Sequence, residues 1–130
     1  MTSIDTNVVV RLVVADDIEQ ARRAQALLAS EDVWISRTVM LETVWVLEST
    51  YELRRADTVR VLRGLCDAAG VALESRQAVL KAIDWYERGM DFADALHVAV
   101  SRRVTKFATF DRTLVRRARR LTAQPNVYEL

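Results

Sequence analysis

Asp91-Phe92-Ala93-Asp94-Ala95-Leu96-His97-Val98-Ala99, followed shortly by Lys106-Phe107-Ala108-Thr109-Phe110-Asp111, sets an apolar helical pattern against a short β-type run. The spacing predicts a helix over residues 91–103, a strand over 106–110 and a further helix over 111–121. The same alternation continues outward from this stretch. Residues 1–4 read as a strand, and Val8 to Val13 start a short helix although β-branching favours strand. Residues 17–29 repeat every 3.6 positions through Ile18, Ala21, Ala24 and Leu28. Val33-Trp34-Ile35 is a second strand, with helix following over 37–51. A helix over 56–69 stops at Gly70, which suits a left-handed cap. Val71-Ala72-Leu73 reads as a short buried strand, residues 75–89 as helix and 126–129 as a last edge strand. Alternation of this kind implies right-handed crossovers around a mainly parallel sheet, hence an α/β fold. No linker, repeat or low-complexity stretch interrupts it, so residues 1–130 are expected to form a single domain.

Composition excludes more than it selects. Hydrophobic residues are 51% and charged residues 28% of the chain, a globular balance. One cysteine, Cys66, allows no internal disulfide, which fits a reducing compartment, and the chain is expected in the cytoplasm. No apolar run approaches the ~20 residues of a membrane span. The net charge of +1 does not by itself announce a nucleic-acid partner. The distribution is more telling. All basic residues except Lys81 and Lys106 are Arg, and they crowd the C-terminal part, with Arg112 and Arg116 among them. Arg grips phosphate bidentately, although a solvated helix face is the plainer reading of such a cluster.

Four acidic residues fall where a parallel sheet gathers strand C-termini and helix N-termini: Asp5, Glu42, Asp94 and Asp111. Carboxylates that converge repel one another unless cations lie between them, and oxygen donors suit Mg²⁺ or Mn²⁺. Each residue also has a plainer role. Asp5 can end a strand, and Asp91 and Asp111 can cap helices. Glu42 stands among Leu41, Val44, Trp45 and Val46, where an unpaired buried carboxylate is costly. Thr6 is expected to cap the first helix, Asn7 to support a metal's water or a phosphate, and Thr109 to hold Asp111. The three Trp read as core or interface. His97 is the only His and reads as a packed helix residue. With no Cys pair, no Gly-x-Ser-x-Gly elbow and no Gly-rich loop after a strand, structural zinc, triad, P-loop and dinucleotide chemistries fail. Metal-assisted phosphoryl chemistry remains.

Ile4-Asp5-Thr6-Asn7, Glu42 in Leu41 to Leu47, Asp91-Phe92-Ala93-Asp94-Ala95-Leu96-His97 and Ala108-Thr109-Phe110-Asp111 resemble the PIN-domain ribonucleases, in family order over the whole chain. The likeness is nearest to the VapC-type toxins of bacterial toxin–antitoxin pairs. The resemblance implies a three-layer α/β/α sandwich and a Mg²⁺- or Mn²⁺-dependent endoribonuclease. It also implies a homodimer and a small antitoxin protein in the active-site groove. It assigns Asp5 and Asp94 as direct metal ligands, with Glu42 and Asp111 acting directly or through water. Apolar positions of the helix over 56–69 hint at a dimer face.

Two alternatives stay open. One is a PIN-like module that binds RNA or protein without catalysis. The other is a PIN nuclease of RNA maturation outside toxin–antitoxin systems. A haloacid-dehalogenase-type phosphatase wants a second Asp where Asn7 stands, and a receiver domain wants an Asp after Val33-Trp34-Ile35.

Overall fold

The computed structural model describes residues 1–130, which divide into two compact units, Met1–Arg76 and Gln77–Leu130. In the first unit the elements are β1 (Thr2–Ser3), α1 (Thr6–Val13), α2 (Ile18–Ser30), β2 (Val33–Ile35), α3 (Arg37–Ser49), α4 (Arg55–Asp67) and β3 (Val71–Leu73). β2 is central, parallel to β1 on one side and to β3 on the other, with Val33 opposite both Thr2 and Val71. Its outer residues Val33 and Ile35 are buried, as a strand covered on its apolar face requires.

The triple-valine run is helical because its neighbours decide, not its propensity. Asp5 caps α1, its Oδ1 accepting the Val8 N–H at 3.1 Å. Val9 and Val10 face the core, and α1 packs against α2 and α3. Burial of two β-branched side chains outweighs a helix penalty of a few tenths of a kcal/mol per residue. The cap is Asp5 and not Thr6; Thr6 is the first helical residue and is buried.

α4 buries Val59, Leu62, Leu65 and Cys66 within the core, so these positions offer no free apolar face. Of the remaining apolar residues, Ala56 is exposed and Val61 half-exposed, the latter in a groove with Leu12, Val13 and Leu28. Gly70 does not cap α4, which ends at Ala68 in extended backbone. It stands instead in the turn closed by the Val71 N–H to Ala68 carbonyl bond. Its φ of +81° is the left-handed value that glycine tolerates. β3 lies at the sheet edge and is half-buried rather than buried.

The second unit contains α5 (Arg76–Glu87, starting at the boundary residue), α6 (Phe92–Val100), β4 (Lys106–Thr109), α7 (Arg112–Leu121) and β5 (Asn126–Glu129). β4 and β5 pair in parallel, Lys106 opposite Asn126, so every strand pair in the chain is parallel. Tyr86 and Phe92 meet edge-to-face at 5.8 Å between ring centroids. α7 has a narrow buried seam, Leu114 and Ala118. The Arg119 Nε donates to the Val127 carbonyl at 2.9 Å and ties the helix to β5.

Candidate active site

In the first unit Asp5 leaves β1 in extended backbone and caps α1. The cap engages Oδ1; Oδ2 has no hydrogen bond or ion pair. Asp5 and Asn7 are both exposed and line one cleft between α1 and α2. Glu42 is exposed as well, on the outer face of α3. The inward face of that helix is made by Met40, Thr43, Val44 and Leu47. Its apolar sequence neighbours therefore do not bury Glu42, and the cost expected from burial does not arise. Trp45 shares the outer face and is 65% exposed, unlike Trp85, which is core.

The second unit brings Asp91, Asp94 and Asp111 into electrostatic reach of one another. Asp91 caps α6, its Oδ2 accepting the Asp94 N–H at 3.1 Å. Asp111 caps α7, its Oδ1 accepting from the Thr113 and Leu114 N–H groups at 2.9 and 3.1 Å. The Thr109 Oγ1 accepts the Asp111 N–H at 3.0 Å, which fixes the turn that aims the carboxylate. Burial pushes the Asp94 carboxyl above its ordinary range, and the like charges of Asp91 and Asp111 add to this; His97 and Arg117 pull it back. His97 is exposed on α6 rather than packed.

Oxygen-only donors, Asp91 and Asp111 at helix caps with Asp94 raised by burial and by these two carboxylates, fit a hard divalent cation. No three His, Cys, Asp or Glu side chains are already gathered tightly as a metal site. Arg112 and Arg116 line a groove of about 450 Å³ with Val115, Arg119 and Glu129. Arg112 is tied to Glu129 there at 2.9 Å, while Arg116 has no partner.

Sequence reasoning missed two features. Phe110, directly before Asp111, is 78% exposed, which its place at the end of a strand pattern does not disclose. The other is a polar network on α1 and α2. The Arg11 Nε donates to Gln20 Oε1 at 2.7 Å, and its Nη1 donates to Asp16 Oδ1 at 2.9 Å and the Tyr51 hydroxyl at 3.2 Å. Arg11, Gln20 and Tyr51 are far apart in sequence, so no local pattern announced it.

No curated protein matches the chain significantly. The family model of the PIN domain does match, over residues 3–120, a span that takes in both units and all four acidic candidates. Seven helices and an all-parallel set of strands agree with the α/β/α fold of that family. The chain belongs to the PIN-domain family, whose members are in general metal-dependent nucleases.

Proposed function

We propose that the chain is a Mg²⁺- or Mn²⁺-dependent endoribonuclease and the toxin of a toxin–antitoxin pair, acting in the cytoplasm as a homodimer. A small antitoxin protein restrains it by occupying the active-site groove. No helix is long and apolar enough to cross a membrane, which agrees with that setting. The observation that carries the reading is the state of the capping carboxylates. Asp5 and Asp111 each follow a parallel strand, cap a helix with one oxygen and keep the other disengaged. Asp111 also has Asp94 beside it, whose acidity is weakened by burial and by Asp91 and Asp111, a neighbour that a residue serving only as a cap does not need.

Asp5, Glu42, Asp94 and Asp111 would hold the cation, as the family resemblance implies. When bound, it neutralises the carboxylates and acidifies a water for in-line attack on the phosphodiester. The chain supplies the rest. With the one imidazole, His97, exposed on α6 and outside the set of four, a carboxylate of that set would accept the proton of the water. Asp111, fixed by Thr109 and by two backbone donors, orients the water without moving. Asn7 and the Arg112–Arg116 groove hold the RNA backbone by hydrogen bonds and charge.

The test is cleavage of bacterial RNA by antitoxin-free protein and its Asp111→Asn variant, with Mg²⁺, with Mn²⁺ and with EDTA. Asn retains the cap, so folding is preserved. Metal-dependent cutting is expected, falling at least about 100-fold in the variant, the scale of lost electrostatic and proton-transfer catalysis. Cutting that survives both EDTA and the substitution overturns the proposal. RNA binding without cutting, unaffected by metal, establishes the binding-only reading.

A further inference from the structure

The cleft between α1 and α2 lies wholly in the first unit and has a volume of about 400 Å³, within the usual size of small-ligand clefts. Its floor is apolar: Val8, Ala24 and Leu27. Its polar rim is Arg11, Gln20 and Arg23 together with Asp5 and Asn7.

The rim is pre-organised. Asp16 and Tyr51 hold Arg11 through Nη1, the Tyr51 hydroxyl itself donating to Asp16 Oδ2 at 2.8 Å. Gln20 takes the Nε proton. The guanidinium is thus fixed on two nitrogens, while Nη2 has no partner. Because the Gln20 Oε1 accepts from Arg11, its amide nitrogen is the atom left to donate elsewhere. Arg23 makes no hydrogen bond or ion pair, whereas its neighbour Arg22 is paired with Glu19 at 3.5 Å. Above the apolar floor, Arg11 Nη2, the Gln20 amide nitrogen and Arg23 therefore offer unengaged donors, and Asp5 Oδ2 is an acceptor in the same cleft.

We propose that this cleft is a base-selecting subsite. It receives one unpaired nucleotide of the RNA beside the phosphodiester served by Asp5, with guanine preferred. This rests on the nuclease reading above for the identity of the ligand. A bare phosphate would set its charge against the apolar floor, which costs free energy. A nucleobase instead lays its flat face on that floor and turns its edge to the rim. Guanine N7 and O6 are two adjacent acceptors, the pattern that a guanidinium reads bidentately, whereas cytosine N4 and adenine N6 bring donors against donors. Entry of the base demands an unpaired strand, since bases stacked in a duplex expose no face.

The test titrates GMP, AMP, CMP and UMP into wild-type protein, Arg23→Ala and Gln20→Met, followed by NMR in EDTA so that catalysis plays no part. Both substituted residues are exposed, and circular dichroism checks that the variants fold. GMP is expected to bind about tenfold or more tightly than CMP, with the preference lost in either variant. Cleavage of RNA oligonucleotides that differ at one guanine then gives a second readout: the variants raise KM for the guanine substrate and leave kcat within about twofold. Equal binding of all four nucleotides overturns the proposal. So does RNA cleavage whose site preference and KM are the same in wild type and variants; the nuclease reading would then stand without this subsite. Guanine-selective binding by a protein that cuts no RNA keeps the subsite and sinks the nuclease reading.

Discussion

At the residue scale, Asp94 carries the most informative charge. Its carboxyl is raised by burial first and by Asp91 and Asp111 next. A raised folded-state pKa means that the proton is bound more tightly in the folded protein. The stabilisation from that proton is complete below the unfolded carboxylate value and is lost as pH rises through the folded one. At neutral pH the ionised Asp94 therefore works against the metal-free fold. Asp94→Asn is expected to raise the melting temperature in EDTA at pH 7 by roughly 1–3 °C, a gain that disappears near pH 3. Added Mg²⁺ should stabilise the wild type more than the variant. A variant that melts lower than wild type in EDTA at pH 7 would contradict the assigned repulsion. Residue identities were legible in the sequence, but exposures were not. Glu42 and His97 seemed enclosed by apolar neighbours; helical geometry turns both outward, because the inward positions are 40, 43, 44 and 47 on α3 and 92, 95, 96, 98 and 99 on α6.

At the scale of elements, the order of helices and strands followed from periodicity, and the disagreements lie at their ends. Val33–Ile35 and Val71–Leu73 are strands with the expected bounds. The helix predicted to run to Arg103 stops at Val100, where Ser101 caps it and hydrogen-bonds the His97 carbonyl. Gly70 was read as a helix stop because glycine follows helices so often; its turn lies two residues beyond the cap at Ala68. There a Cβ would meet Asp32 Oδ1 at 3.3 Å and Leu28 Cδ1 at 3.4 Å. Gly70→Ala combines left-handed strain with this crowding, at the turn whose Gly70 carbonyl accepts the Val33 N–H. It is expected to destabilise by about 1–2 kcal/mol, measured by urea denaturation. An unchanged midpoint would show that the turn relaxes freely.

At the scale of the whole molecule, a net charge of +1 conceals an uneven distribution. α7 exposes Arg112, Arg116, Arg117, Arg119 and Arg120 around its narrow apolar seam, yet these arginines are not equivalent. Arg119 holds β5 and Arg112 holds Glu129, which leaves Arg116 the freest in the groove they share. Arg116→Ala is expected to leave the melting temperature within about 1 °C, as for surface changes without partners. It should weaken RNA binding and reduce the salt dependence of affinity by about one phosphate contact, a change of ~0.7 in the logarithmic slope for a single strand. An unchanged slope would remove Arg116 from the RNA path. The sequence showed the cluster, but sorting its members needed the contacts of β5, which lie up to 17 residues away along the chain.

The capping carboxylates also bear on how such a chain can change over generations. Asp5 and Asp111 each serve the fold through one oxygen, and an asparagine serves a helix N-terminus equally well. A single base substitution converts an aspartate codon to an asparagine codon. Selection for a folded protein would not notice the exchange, whereas selection for phosphodiester cleavage would. A lineage relieved of the need to cut RNA can therefore drift, without passing through an unfolded ancestor, to a stable relative that still grips its old ligands.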